Sequence, residues 1–181
     1  MFAGAVPSAT NARMKTTSGA RAILPSGFRR PGPLPVELTV LHIDDDPNDT
    51  ALLQAATRKA DLNLILKNVE DFEQATAYLG GVGVYADRGT YPVPSLILLD
   101  LKMPRATGFE VLRWIRNHPG YSHIPIVVLS GSELQDDIRR AYVGGANSYL
   151  VKPLGFDALV SLVKNIHIVW LTATQQPLRA S

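Results

Sequence analysis

Acidic, basic and hydroxyl side chains recur at the ends of short apolar runs. Asp44-Asp45-Asp46 follows 38–43, Asp100 follows 95–99, Ser130-Gly131 follows 125–129 and Lys152-Pro153 follows 147–151. If those runs end at one edge of one sheet, three or more carboxylates meet there and repel one another unless a cation sits among them. Carboxylates, carbonyl oxygens and waters are the ligand set of Mg²⁺. A lysine and a hydroxyl beside a metal-bound carboxylate would receive the oxygens of a phosphoryl group. Taken singly, each residue has an ordinary explanation. Asp46 suits a helix N-cap, Lys-Pro is a common surface dipeptide, and Ser132 caps a helix better than Ser130 does. The argument rests on their meeting at one edge.

The elements that would bring them together are legible from Leu38 onward. The run 38–43 suits a buried strand. Asp46-Pro47 then reads as an N-cap with proline at the first helical position, opening a helix to about Ala60. A second strand is predicted over 62–69. Asp71 with Gln74 resembles a capping box for a second helix, which Gly80-Gly81 stops. The Gly/Tyr/Pro-rich stretch to Pro94 is long for such a connection. The run 95–100 is apolar up to its aspartate, as in a parallel strand covered on both faces. A third helix runs from about Gly108 to before Pro119, and a fourth strand covers 125–129. Ser132 with Gln135 opens a fourth helix, closed by Gly144-Gly145. A fifth strand covers 147–151 and a last helix runs from about Gly155 to Trp170. Strands alternating with helices imply right-handed βαβ units and a doubly wound parallel sheet, with the site at the carboxyl ends of the strands.

Composition narrows the class. The chain has 181 residues, 46% hydrophobic and 19% charged, and no cysteine, so disulfides, thiolate catalysis and Cys-ligated zinc are excluded. No apolar run approaches the roughly 18 residues of a membrane span. The net charge of +2 hides an asymmetry. Residues 1–36 hold Arg13, Lys15, Arg21, Arg29 and Arg30 and no acid, whereas the remainder holds 13 basic and 16 acidic residues and so carries −3. Nucleic-acid binding would have to rest on that leader alone. Residues 1–36, ending in a Pro/Gly-rich run, show no period and are expected to be a disordered leader. Their acid-free composition is shared with organelle transit peptides, but a mis-assigned start or a natural floppy tail is the plainer account. Residues 37–172 are expected to form the domain and 173–181 a flexible tail.

The segments Leu41-His42-Ile43-Asp44-Asp45-Asp46-Pro47-Asn48-Asp49, Leu98-Leu99-Asp100-Leu101-Lys102-Met103-Pro104, Val128-Leu129-Ser130-Gly131 and Gly145-Ala146-Asn147-Ser148-Tyr149-Leu150-Val151-Lys152-Pro153 resemble, in order and spacing, the receiver domain of two-component response regulators. The resemblance spans about 38–170. The opening acidic run with Pro47-Asn48-Asp49, the long loop before the third strand and Trp170 are most similar to single-domain regulators that accompany bacteriophytochrome kinases. The resemblance implies a flavodoxin-like strand order of 2-1-3-4-5 with helices on both faces. It implies Asp100 as phosphoacceptor and Mg²⁺ held by Asp45 directly, Asp44 through water, Asp100 and the backbone carbonyl of Lys102. Ser130 would be the switch hydroxyl, Gly131 would leave room for the phosphoryl group and present a backbone N–H, Lys152 would pair with its oxygens, and Tyr149 would be the aromatic that turns with the state. A cis Lys152–Pro153 junction would aim the lysine inward. One departure is Thr107-Gly108, where the family usually has Asp before the glycine; Thr can cap as well.

The resemblance implies a cytoplasmic, stand-alone regulator that takes a phosphoryl group from a sensor histidine kinase and catalyses its own phosphorylation and dephosphorylation, with no small-molecule turnover. Nothing resembles a DNA-binding domain, so signalling by protein contact or through a phosphotransfer protein is expected. A phosphorylation-independent docking module is the alternative, opposed by the intact Asp45, Asp100, Ser130 and Lys152 set. A flavin-binding protein of the same fold ranks last, because the first turn carries acids where a phosphate cradle needs Gly, Ser and Thr. In the last helix, Leu159, Leu162, Val163, Ile166 and Trp170 form the predicted core stripe. Val160, Ile168 and Leu171, around His167, form a second apolar face and suggest a symmetric dimer.

Overall fold

A computed structural model describes residues 38–103 and 107–172, with side chains through Trp170. The leader 1–36, the tail 173–181, Pro104 and the Leu171 side chain lie outside the described residues. Five strands carry the fold: β1 (Leu38–Ile43), β2 (Leu64–Val69), β3 (Leu96–Leu99), β4 (Ile126–Ser130) and β5 (Ser148–Val151). They pair parallel throughout, in the order β2-β1-β3-β4-β5. Between and after them lie α1 (Pro47–Lys59), α2 (Phe72–Gly80), α3 (Gly108–Asn117), α4 (Gln135–Val143) and α5 (Phe156–Ile166). The doubly wound α/β reading holds, with most element ends displaced by one or two residues and the last α-helix ending at Ile166, four residues before the predicted Trp170.

Strand alternation sorts the core into two halves. Leu41 and Ile43 of β1, Ile97 and Leu99 of β3, and Ile126 and Val128 of β4 pack against Tyr78 and Leu79 of α2, Val111, Leu112 and Ile115 of α3, and Ala141 of α4. Leu38 and Val40, Leu96 and Leu98, and Val127 and Leu129 pack on the other face against Leu53 and Ala56 of α1 and Val160, Val163 and Ile166 of α5. β1, β3 and β4 are buried along their whole length, which is why they read as apolar runs rather than alternating ones.

Local caps follow the sequence in most places. Asp46 accepts from the Asn48 N–H at 2.8 Å, and Asp71 accepts from the Gln74 N–H at 2.8 Å. The Gln74 side chain reaches back to the Glu70 N–H rather than to Asp71, so that capping box is only half formed. At α3 the Glu110 carboxylate accepts from the Thr107 N–H at 3.0 Å, so Thr in place of Asp still starts the helix. Two further expectations fail in the helices. Ser132 does not cap α4, whose N-cap is Leu134; the Ser132 hydroxyl donates instead to the Asp137 carboxylate. Val160 is 7% exposed and belongs to the core, not to a second outward face. The contact of α5 with the sheet is rotated toward Val160, leaving Leu159, Leu162 and Trp170 half-buried at its margin. Beyond Ile166 the chain winds as a π-helix over His167–Thr172, which breaks the 3.6-residue phase used to place the later residues.

Candidate phosphoryl and metal site at the sheet edge

Register sets the site. Ile43 of β1 is level with Leu99 of β3, so Asp44 and Asp100, one residue further, stand side by side. The ladder continues past the strands: the Asp44 N–H donates to Val69 O at 3.0 Å, Asp100 N–H to Ile43 O at 2.9 Å and Lys152 N–H to Ser130 O at 2.9 Å. Both aspartates are thereby held by backbone before any side-chain contact is made.

The centre is the Lys152 ammonium. It donates to Asp49 Oδ2 at 2.6 Å, Asp44 Oδ2 at 2.7 Å and Asp100 Oδ2 at 3.0 Å. The Lys152–Pro153 peptide is trans, against the expectation of a cis junction. The lysine points inward because Leu150 and Lys152 share the β5 face that looks toward α1 and α5, with Val151 turned outward. Burial of Asp44 favours its neutral acid, but the His42 ring, the Lys152 ammonium and the Asp46 N–H overcome this and hold its carboxyl at about 2. Burial alone would lower the Lys152 ammonium; the carboxylates of Asp44, Asp49 and Asp100 instead raise it above the ordinary lysine range.

The other predicted residues fall around this centre. Asp100 is buried, and its Oδ1 accepts from the Lys102 N–H at 3.2 Å, while the Lys102 side chain is exposed. Asp45 is half-exposed at the same strand end. The Ser130 hydroxyl is fully buried and has no hydrogen-bond partner among the described residues. Tyr149, half-buried, donates its hydroxyl to Ser132 O at 2.8 Å. Gly131 is exposed, and a Cβ there would meet no protein atom, so packing within the chain does not require glycine at that position.

Three contributors were not assigned roles from sequence. Asp49 lies in the first turn of α1 and supplies the shortest contact to Lys152. His42 lies two residues before Asp44, hence on the same strand face, and its polarity within an apolar run was the available signal. Gly108 opens α3 so close to the β3 end that a Cβ would lie 2.0 Å from Asp100 O.

Three carboxylates surround one ammonium, an excess of two negative charges before Asp45 is added. No group of three His, Asp or Glu side chains among the described residues forms a ready-made cage. The donor set nonetheless fits a hard dication of the Mg²⁺ type: oxygen ligands, surplus negative charge and an open side at Asp45. The Ser130 hydroxyl, buried without a hydrogen-bond partner among the described residues, is chemically able to donate to an oxyanion. A groove of about 650 Å³ between α3 and α4, lined by Phe109, Arg113, Arg116 and Arg140 among others, contains none of these residues.

The model of the response regulator receiver domain matches residues 40–164. The chain belongs to this family. Response regulator Rcp1 of Synechocystis sp. is 33% identical over 138 residues, which cover 76% of this receiver and 92% of Rcp1. The crystal structure of the phosphorylated cyanobacterial phytochrome response regulator RcpA matches with a TM-score of 0.69 at 34% identity, covering 80% of this receiver and 99% of RcpA. A response regulator in red light signaling of R. palustris matches with a TM-score of 0.73 at 35% identity, covering 77% and 98% of the two chains. The Mn²⁺-bound form of Rcp1 matches with a TM-score of 0.67 at 33% identity, covering 77% of this receiver and 99% of that chain. The receiver is thus similar to phytochrome-type response regulators over nearly their whole length. Among the described residues no helix is long and apolar enough to cross a membrane.

Proposed function

We propose that this receiver accepts a phosphoryl group on Asp100 from a phosphohistidine of a sensor histidine kinase, and that a bacteriophytochrome is the kinase class, as the names of its relatives suggest. The supporting observation is the Lys152 ammonium drawn within 3.0 Å of carboxylates from β1, α1 and the end of β3. In the transfer, an Asp100 carboxylate oxygen bonds to phosphorus as the P–N bond to the kinase imidazole breaks, and the imidazole leaves with that electron pair. Mg²⁺ would be held by Asp45, Asp100, the Lys102 carbonyl and, through water, Asp44. Bound there, it supplies the positive charge that lets a carboxylate approach a phosphate. Lys152 pairs with the phosphoryl oxygens, and Ser130 and the Gly131 N–H donate to them. Tyr149 gives up Ser132 O and turns toward the space Ser130 leaves, so that the α4–β5–α5 face reports the state to a protein partner or a phosphotransfer protein. The receiver domain of this proposal spans residues 37–172. A second copy of the chain docks on the π-helical turn beyond α5, at Ile168 and Val169, both exposed, rather than on Val160.

Incubation with a small phosphodonor and Mg²⁺, followed by intact-mass spectrometry, tests the assignment. One labile phosphate is expected, and none in Asp100→Asn. Equal labelling of that variant overturns it.

A further inference from the structure

A chain of polar side chains, buried at Asp44 and His42 and half-buried at Thr50 and Asn68, lies beneath the site. His42 is 1% exposed, inside a strand that is otherwise nearly all apolar. Its Nε2 is 3.3 Å from Asp44 Oδ2. On the other side of the ring, the Thr50 hydroxyl of α1 is 3.4 Å from Nδ1 and 3.1 Å from Asn68 Oδ1. Asn68 is the register partner of His42 on β2. Nε2 of the ring thus faces Asp44, with Thr50 of α1, itself bonded to Asn68 of β2, beside Nδ1. An ionised carboxylate accepts only, so the proton shared by the pair sits on Nε2.

Asp44 is tied at every oxygen. Its Oδ1 accepts from the Asp46 N–H at 2.9 Å, and Oδ2 is shared between His42 and Lys152. Lys152, however, is divided among three carboxylates and, under the proposed function, moves toward the phosphoryl oxygens. Once it turns, His42 is the only described side chain still bound to Asp44. We infer that His42 is a positioning residue, which holds the Asp44 carboxylate aligned toward the divalent cation through the Nε2–H contact and keeps it aligned when Lys152 is drawn away. This rests on the metal-dependent reading of the site. Partners of this kind orient a ligand from behind, and their loss typically weakens metal binding about 10–100-fold.

The test is Mn²⁺ affinity of the unphosphorylated full chain, read by electron paramagnetic resonance. His42→Leu removes the donor; the ring borders a cavity of about 40 Å³ lined by Leu52, Leu53, Leu129, Pro153 and Leu159 together with Asp49 and Lys152, so leucine meets mostly apolar neighbours. Its affinity is expected to fall about tenfold or more. His42→Gln carries an amide N–H to the place of Nε2 and is expected to stay within about threefold of wild type. His42→Asn, of similar polarity but shorter reach, is expected to behave like His42→Leu. Thr50→Val, which leaves His42 in place but loosens the ring, is expected to fall between. Wild-type affinity in His42→Leu, or equal loss in His42→Gln and His42→Asn, overturns the inference. If His42→Leu does not fold, the Gln and Asn pair decides alone. A wild-type chain without Mn²⁺ affinity overturns this inference together with the metal-dependent reading, whereas wild-type binding with no variant effect overturns the inference only.

Discussion

Asp44 is buried and ionised, a combination sustained by its three donors. Its folded value of about 2 lies below the ordinary 3.8, so its contribution to stability is complete above about pH 4 and is lost as pH falls toward 2. At about 1.4 kcal/mol per unit the effect is about 2–3 kcal/mol. Urea titrations of wild type and Asp44→Asn should converge across that acid window; a gap that does not change with pH would show that Asp44 is not the titrating group. Lys152 carries the opposite charge of the cluster. Removing it in Lys152→Met leaves Asp44 and Asp100 buried without their common partner, which typically costs about 3–5 kcal/mol. Divalent cation should recover part of that loss, because the surplus negative charge then has another counter-ion. Thermal melts with and without Mg²⁺ check this: the Mg²⁺-induced rise in Tm should be larger in Lys152→Met than in wild type. For the metal ligands, Asp45→Ala should nearly abolish Mg²⁺ binding and Lys102→Ala should leave it almost intact, since a carbonyl survives side-chain truncation. Similar losses in both, measured by calorimetric titration, would refute the proposed ligand set.

The connections are where the sequence was hardest to interpret and the structure is most specific. The long segment between α2 and β3 is ordered by Arg88. Its guanidinium donates to Tyr78 O at 2.8 Å, Leu79 O at 2.6 Å and Tyr91 O at 3.1 Å, so it ties the carbonyl end of α2 to the following loop. Tyr78, Tyr85 and Tyr91 pack mutually above it, with Tyr78 donating its hydroxyl to Pro92 O. Arg88→Ala should cost about 2–3 kcal/mol in urea denaturation, the range for lost hydrogen bonds to a charged group, while phosphorylation persists. The tight start of α3 makes a sharper case. In Gly108→Ala the new methyl would overlap Asp100 O, so either α3 or the β3 end must shift. Overpacking of this kind typically costs about 1–3 kcal/mol. Because the displaced atom belongs to Asp100 itself, the phosphorylation rate should fall as well, which separates this variant from Arg88→Ala. α5 gives a third contrast: Val160→Glu places a charge in the core beside α1 and should unfold the chain, whereas Val169→Glu, at a position 57% exposed, should not.

Across the molecule, the two halves of the core carry separate duties. The α1–α5 face supports His42, Asp44, Asp49 and Lys152, whereas the opposite face supports Ser130 and Tyr149. The candidate site therefore joins the two layers at the edge of the sheet, and under the proposed function a change at Asp100 reaches both. The proposed second copy is tested by light scattering with and without phosphodonor. Val169→Glu should shift any dimer to monomer without loss of fold, and a wild-type chain that stays monomeric in both states ends that proposal.

The sequence determined what depends on local chemistry and periodicity. Apolar runs gave the five strands, Asp46 and Asp71 gave caps, Gly81 gave the left-handed stop of α2, and the alternation of strands with helices gave the parallel sheet. Because the fold reading placed Asp44, Asp100, Ser130 and Lys152 at strand ends, it also gathered most of the candidate site. It did not supply contacts between residues far apart in the chain. Lys152 meets Asp49 across a separation of 103 residues, and nothing in either neighbourhood records the other. The role of Gly108 depends on how near α3 comes to β3, a distance set by packing of the whole layer. The facing of α5 was misjudged because a 3.6-residue wheel fixes which residues lie together but not how the helix is rotated against α1 and the sheet. That rotation, which buries Val160, and the π-helical turn that dephases Ile168 and Val169, were decided only when the core closed.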